Sequence, residues 1–135
     1  MKKGNLAGIA EAAVSIFLTV GALTIFKVCE GGVNGKYMTC HWAQNAVVLA
    51  GIVLSVQSLL RILIPNKGVK TGLSLSIFLL AAAVIFIPNT AINLCMMETM
   101  RCHTVFKPAV IVTSSVLTVI SGLDAVIGLI RTGKE

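Results

Sequence analysis

The sequence predicts an all-α, polytopic membrane protein: a four-transmembrane-helix bundle built from two parallel-oriented helix-hairpin repeats. Three observations lead there. The chain of 135 residues is 56% hydrophobic and 12% charged, with a mean hydropathy of +0.95, whereas soluble domains carry about 25% charged residues. Its apolar residues gather into four runs, each near the roughly 20 residues that carry a helix across a bilayer. Two short motifs then recur at offsets of 61 and 62 positions.

The first run is Leu6–Phe26, interrupted by Glu11. It is too long for the apolar core of a cleaved leader, lacks an Ala-x-Ala-like exit and is followed by three more runs. The second is Trp42–Ile64, with Gln57 and Arg61 inside it. The third is Thr71–Pro88, and the fourth is Pro108–Ile130 with Asp124 inside it. Helices are expected, because lipid leaves a strand edge unsatisfied and four strands cannot close a barrel. Pro108 suits the first turn of the fourth helix, where its missing donor costs little. Tyr37 and Trp42 read as anchors at the membrane interface.

Orientation follows from the basic residues. Seven (Lys2, Lys3, Arg61, Lys67, Lys70, Arg131 and Lys134) fall on the side of the termini, and four (Lys27, Lys36, Arg101 and Lys107) on the other. That excess predicts that both termini and the "IPNKGVK" turn lie in the cytoplasm. The net charge of +6 is thereby explained by topology. No basic stripe with interleaved aromatics suggests nucleic acid.

The repeat divides residues 1–135, a single transmembrane domain, into units of about 6–64 and 71–131. Ser15-Ile16-Phe17-Leu18 returns as Ser76-Ile77-Phe78-Leu79, and Met38-x-Cys40-His41 returns as Met100-x-Cys102-His103. Both halves enter from the same side, so a pseudo-twofold axis is expected along the membrane normal. It would place His41 and His103 at related positions of equal depth. Inside the spans, Glu11, Gln57, Arg61 and Asp124 form a candidate polar cluster in which Arg61 and Asp124 can pair. Ionisable residues in spans usually face the protein interior or a cavity. A structural ion-pair cluster is the plainer reading, and a proton or ion path the sharper one. Gly4-x-x-x-Gly8 allows a close helix contact near the membrane edge.

All four cysteines fall on the outer side, in a compartment that permits disulfides. Pairing within each loop, Cys29–Cys40 and Cys95–Cys102, is the simplest arrangement, and a crossed pairing between the halves also suits a symmetric bundle. A thiol-disulfide redox role would favour Cys-x-x-Cys, which is absent. A haem or copper site is the alternative chemistry. His41, His103, Met38 and Met100, with Met96 and Met97 nearby, are the candidate imidazole and thioether ligands. Covalent haem attachment would need Cys-x-x-Cys-His, and Tyr37 and Thr99 stand where the first Cys belongs. There is no Gly-x-Ser-x-Gly, Walker loop or paired outer carboxylates, so a non-enzymatic role is expected.

With "CHWAQNA" and "CMMETMRCH", the chain resembles a family of small bacterial four-span membrane proteins whose domain has no assigned function. The resemblance covers nearly the whole chain, and Cys40-His41-Trp42 and Cys95 to His103 are its most specific parts. It implies an accessory subunit of an ABC transporter, beside efflux-type permeases of the MacB/FtsX kind. Two functions are therefore carried forward: such a subunit with disulfide-stapled outer loops, and a haem- or metal-binding membrane protein. Both leave open whether copies assemble into an oligomer.

Overall fold

A computed structural model describes residues 2–25, 39–87, 90 and 102–134, with side chains described from 5, 41 and 104 onward in the long segments. Four helices follow one another: α1 (Lys2–Thr24), α2 (Thr39–Leu63), α3 (Lys67–Phe86) and α4 (Lys107–Gly133). A π turn at Cys102–Phe106 leads into α4. Each helix is long and apolar enough to cross a membrane, and together they form a transmembrane four-helix bundle. At one end α1, α3 and α4 extend beyond the apolar runs, because their ends are polar but still helical. Lys2 and Lys3 open α1, Lys67 opens α3, and α4 continues through Arg131.

The helices stand in a ring. α1 packs most extensively on α2 and α3 on α4, while α1 with α4 and α2 with α3 close the ring through narrower contacts. Neighbours run antiparallel. Gly8 lies against Ile62 and Gly51 against Thr19, while Gly128 lies against Thr71 and Gly122 against Phe78. The N-termini of α1 and α3 and the C-termini of α2 and α4 thus share one end, here called the terminal end.

Association in lipid relies on close packing and interhelical hydrogen bonds, because lipid tails are as apolar as the helix faces they would leave. Small residues accordingly fill the interior: Ala12, Ser15, Ala22, Ala43, Ser58, Ser74, Ala81, Ser114, Ser121 and Ala125 are all buried. The tightest approach is at Gly51, where an added Cβ would lie 2.4 Å from Thr19 Oγ1 and 3.4 Å from its Cα. Several buried hydroxyls are satisfied within their own helices, as when Ser58 Oγ donates to the Leu54 carbonyl at 2.8 Å and Ser121 Oγ to Leu117 at 2.7 Å. Such back-bonding is the usual way a serine survives inside an apolar helix. Around these lie Leu18, Val47, Leu54, Ile77, Val84, Phe106, Val110 and Leu117, each at most 1% exposed.

The buried positions of the two hairpins correspond at a spacing of 63 residues. Ala43, Val47, Leu54 and Ser58 on α2 match Phe106 at the end of the π turn and Val110, Leu117 and Ser121 on α4. Glu11 and Leu18 on α1 match Ser74 and Ala81 on α3. The repeated tetrapeptide, offset by 61, does not share this register. Ser15 and Leu18 are buried, whereas Ser76 is half-buried and Leu79 is 60% exposed. Two residues turn a helix by about 200° at 3.6 residues per turn, enough to exchange the faces. A π turn typically adds one residue to a helix, and this one lies between the Met-x-Cys-His motif, offset by 62, and the buried face of α4, offset by 63.

Candidate functional site

The charged side chains of the interior collect toward the terminal end. Arg61, in the last turn of α2, is 3% exposed and reaches two carboxylates on two different helices. Its Nη1 donates to Glu11 Oε2 on α1, and its Nη2 donates to Asp124 Oδ2 on α4. Ser74 on α3 completes the set by donating from Oγ to the same Asp124 oxygen at 3.0 Å. Each helix therefore contributes one member: Glu11, Arg61, Ser74 and Asp124. The side chain of Asp124 is 19% exposed, whereas Glu11 is sealed.

Local sequence explains how Arg61 gets there. Gly8 leaves room on α1 beside its guanidinium, so a Cβ at that position would lie 3.9 Å from Nη1 and 3.3 Å from Ile62 Cγ1. This is the second glycine of the Gly-x-x-x-Gly motif. Two carboxylates face one guanidinium, and a buried charge is tolerated only when paired and hydrogen-bonded. Glu11 Oε1 and Arg61 Nε have no hydrogen-bond partner among the described residues. The cluster is thus held by charge and is not fully satisfied by hydrogen bonds.

Gln57, the fourth residue of the expected cluster, does not join the ion pairs. One turn before Arg61 on α2, its Nε2 donates to Ser76 Oγ on α3 at 3.1 Å. It ties the two hairpins together at a second level. Two participants have no sequence signal of their own. Ser74 is one serine among several and becomes distinctive only as the position 63 residues after Glu11. Gln44 Nε2 donates to the Ala22 carbonyl at 2.7 Å, binding α2 to the far end of α1, where the last carbonyls of a helix lack intrahelical partners.

Beside the cluster lies a cavity of about 670 Å³ at the terminal end, with Arg61 and Asp124 on its inner wall. Lys67, Lys70, Arg131 and Lys134 also line it. Away from this end, the bundle interior is closed by the apolar layers described above.

The candidate residues at the opposite end divide differently. His41 lies in the first turn of α2, half-buried, with Asn45 Nδ2 3.3 Å from its Nε2 and its ring edge-on to Trp42. Trp42 is 62% exposed, as an interface anchor should be. The backbones of Cys40, Cys102 and His103 are helical, and their side chains lie outside the described residues. Cys29, Tyr37, Met38, Cys95, Met96, Met97 and Met100 lie outside them entirely. Among the described residues, no three His, Cys, Asp or Glu side chains converge as a metal site would require.

A family model for the domain of unknown function DUF4418 matches residues 11–127, and the chain belongs to that family. Comparisons with curated proteins and with solved structures return no match.

Proposed function

We propose that this DUF4418 member is a non-enzymatic accessory subunit of a bacterial membrane transporter. The partner that the resemblance implies is an ABC-type permease of the MacB/FtsX kind. One observation supports an accessory role over autonomous transport. The centre of the ring is packed solid: Val47, Leu54, Ile77, Val84 and Leu117 from three of its helices are at most 1% exposed. Polar groups toward the terminal end are committed to ion pairs between helices. A solute would have to break both to pass. The outward faces instead offer continuous apolar surface, including Leu49, Leu79 and Val119, each at least 60% exposed. Lipid covers such a face by default, and a second membrane protein can replace it through close packing.

In this reading the chain sits in the cytoplasmic membrane with both termini inside. The cysteines staple the outer loops, whether paired within each loop or crossed between the halves. The two hairpins descend from one duplicated unit.

The experiment is photo-crosslinking in native membranes from Leu49, Leu79 and Val119, with the full chain otherwise intact. An adduct with an ABC-type permease subunit is the expected result. Crosslinks to lipid alone, or solute flux through proteoliposomes containing this chain alone, would overturn the accessory reading. The same purified protein tests the haem or copper alternative. A Soret band or stoichiometric copper, lost in His41→Ala or His103→Ala, would establish that chemistry in its place.

A further inference from the structure

The cavity at the terminal end has a composition that the ion-pair cluster does not explain. Besides Arg61, its cations come from two helices: Lys67 and Lys70 in the first turn of α3, and Arg131 near the end of α4, with Lys134 just beyond. Asp124 is the lining carboxylate among the described residues, and Arg61 and Ser74 already hold it. Lys70 Nζ meets a neutral partner, Asn5 Oδ1, at 3.3 Å.

Placing Lys67 and Lys70 at the start of α3 is electrostatically awkward. The N-terminal turn of a helix is itself positive, and like charges three apart repel. No acidic residue lies in that turn, and Asn66 makes no side-chain cap. Topology alone requires cations on this side of the membrane. It does not require them to converge on one cavity with Arg131. An anion in the cavity would face Lys70, Arg131 and Lys134 and accept from the first-turn amides of α3.

A second feature points to the kind of anion. A shallower depression of about 240 Å³ adjoins the cavity, sharing Thr71 and Thr132 and lined further by Gly68, Gly72, Leu75 and Leu129. Gly68 and Gly72 have open space where a side chain would stand. A basic cavity at the helix ends, continuous with an apolar depression along the span, has the polarity of a lipid molecule. We propose that the pair binds an anionic phospholipid, its phosphate in the basic cavity and an acyl chain across Gly68 and Gly72. Basic pockets between transmembrane helices are known to take such head groups. This inference is independent of the accessory-subunit reading, since it concerns only this chain and lipid.

Native mass spectrometry of the full-length protein, released from detergent, tests it. The probes are phosphatidylglycerol, phosphatidylcholine and inorganic phosphate. Phosphatidylglycerol adducts should exceed phosphatidylcholine adducts about tenfold or more. Lys67→Gln/Lys70→Gln/Arg131→Gln should abolish that preference. Lys67→Arg/Lys70→Arg/Arg131→Lys, which keeps every charge, should retain it, as should Lys107→Gln at the opposite end. Gly72→Leu, which fills the depression without a clash, should weaken phosphatidylglycerol binding several-fold. Equal adducts with the two lipids, or full retention in the triple Gln variant, would overturn the proposal. Phosphate binding as tight as the lipid's, and indifferent to Gly72→Leu, would overturn the lipid assignment in favour of a free-anion site.

Discussion

In the α1–α2 hairpin an acid and a base sit on neighbouring helices, Glu11 against Arg61, whereas the α3–α4 hairpin has Ser74 and Asp124 at the corresponding positions. Both hairpins bury matching faces of their helices, so their shapes correspond. Their charges do not. Two copies of the first hairpin, placed around the same axis, would bring one arginine into the place of Asp124, facing Arg61. With Asp124 there, the buried guanidinium of Arg61 instead bridges both hairpins. Packing supplies a general affinity between hairpins, whereas the polar set links particular positions, Arg61 to Glu11 within the first hairpin and to Asp124 in the second. Buried polar groups are best attested in this specifying role.

Removing the bridge is the most damaging change. Arg61→Leu leaves Glu11 and Asp124 buried without their cation, and breaking such a pair costs about 3–5 kcal/mol. Unfolding of the purified protein in mixed micelles should show the loss. An undiminished midpoint would mean that the cluster does not hold the bundle.

Making the second hairpin resemble the first sharpens the comparison. Asp124→Arg alone sets two guanidiniums against Glu11, and Ser74→Glu alone sets three carboxylates against Arg61. Each should cost about 2–4 kcal/mol through uncompensated buried charge. The double variant balances two acids with two bases and should recover at least about 1 kcal/mol over the worse single variant. Coupling of this size lies within the range for residues in one network. Strict additivity would show that the four positions act independently.

Both hairpins have a close approach, at Gly51 on Thr19 and at Gly128 on Thr71, and a looser one at Gly122. Gly51→Ala drives a Cβ to within 2.4 Å of Thr19 Oγ1, whereas Gly122→Ala meets the edge of the Phe78 ring at 3.2 Å. Gly51→Ala should cost about 1–3 kcal/mol by overpacking, and Thr19→Ala in the same chain should relieve most of it. Gly122→Ala should cost less, because the ring can turn aside. Similar losses at both glycines would contradict the tighter approach at Gly51.

The smallest effect is expected at Gln44→Leu, which leaves the Ala22 carbonyl without this donor. The loss should be about 1 kcal/mol, and amide hydrogen exchange should rise at the end of α1 while the terminal-end cluster stays protected. Equal loosening at both ends would mean that the two polar levels are one cooperative unit.

Much of this could be read along the chain. Apolar run length places the four helices to within a few residues, since hydrophobic thickness sets a length that composition reveals directly. Charges inside apolar runs are costly enough to be conspicuous, so Glu11, Arg61 and Asp124 stand out at once. Ser74, Ser76 and Gln44 do not, because uncharged polar residues are common in such helices and their importance depends on which neighbour they meet. Gln57 is conspicuous by polarity, yet its partner is Ser76 and not the ion pairs.

By itself, the sequence determined the number of spans, the antiparallel order they must follow and the charges available to hold them. Tertiary structure decided which residues face one another. The repeated tetrapeptide marks similar sequence, but a two-residue difference in offset turns it onto unlike faces. The matching faces lie 63 residues apart, a register already present between α1 and α3 at Glu11 and Ser74 and held again from Phe106 into α4. Rotation about a helix advances about 100° per residue, so a similarity counted in residues locates a face only once the packing has set the phase.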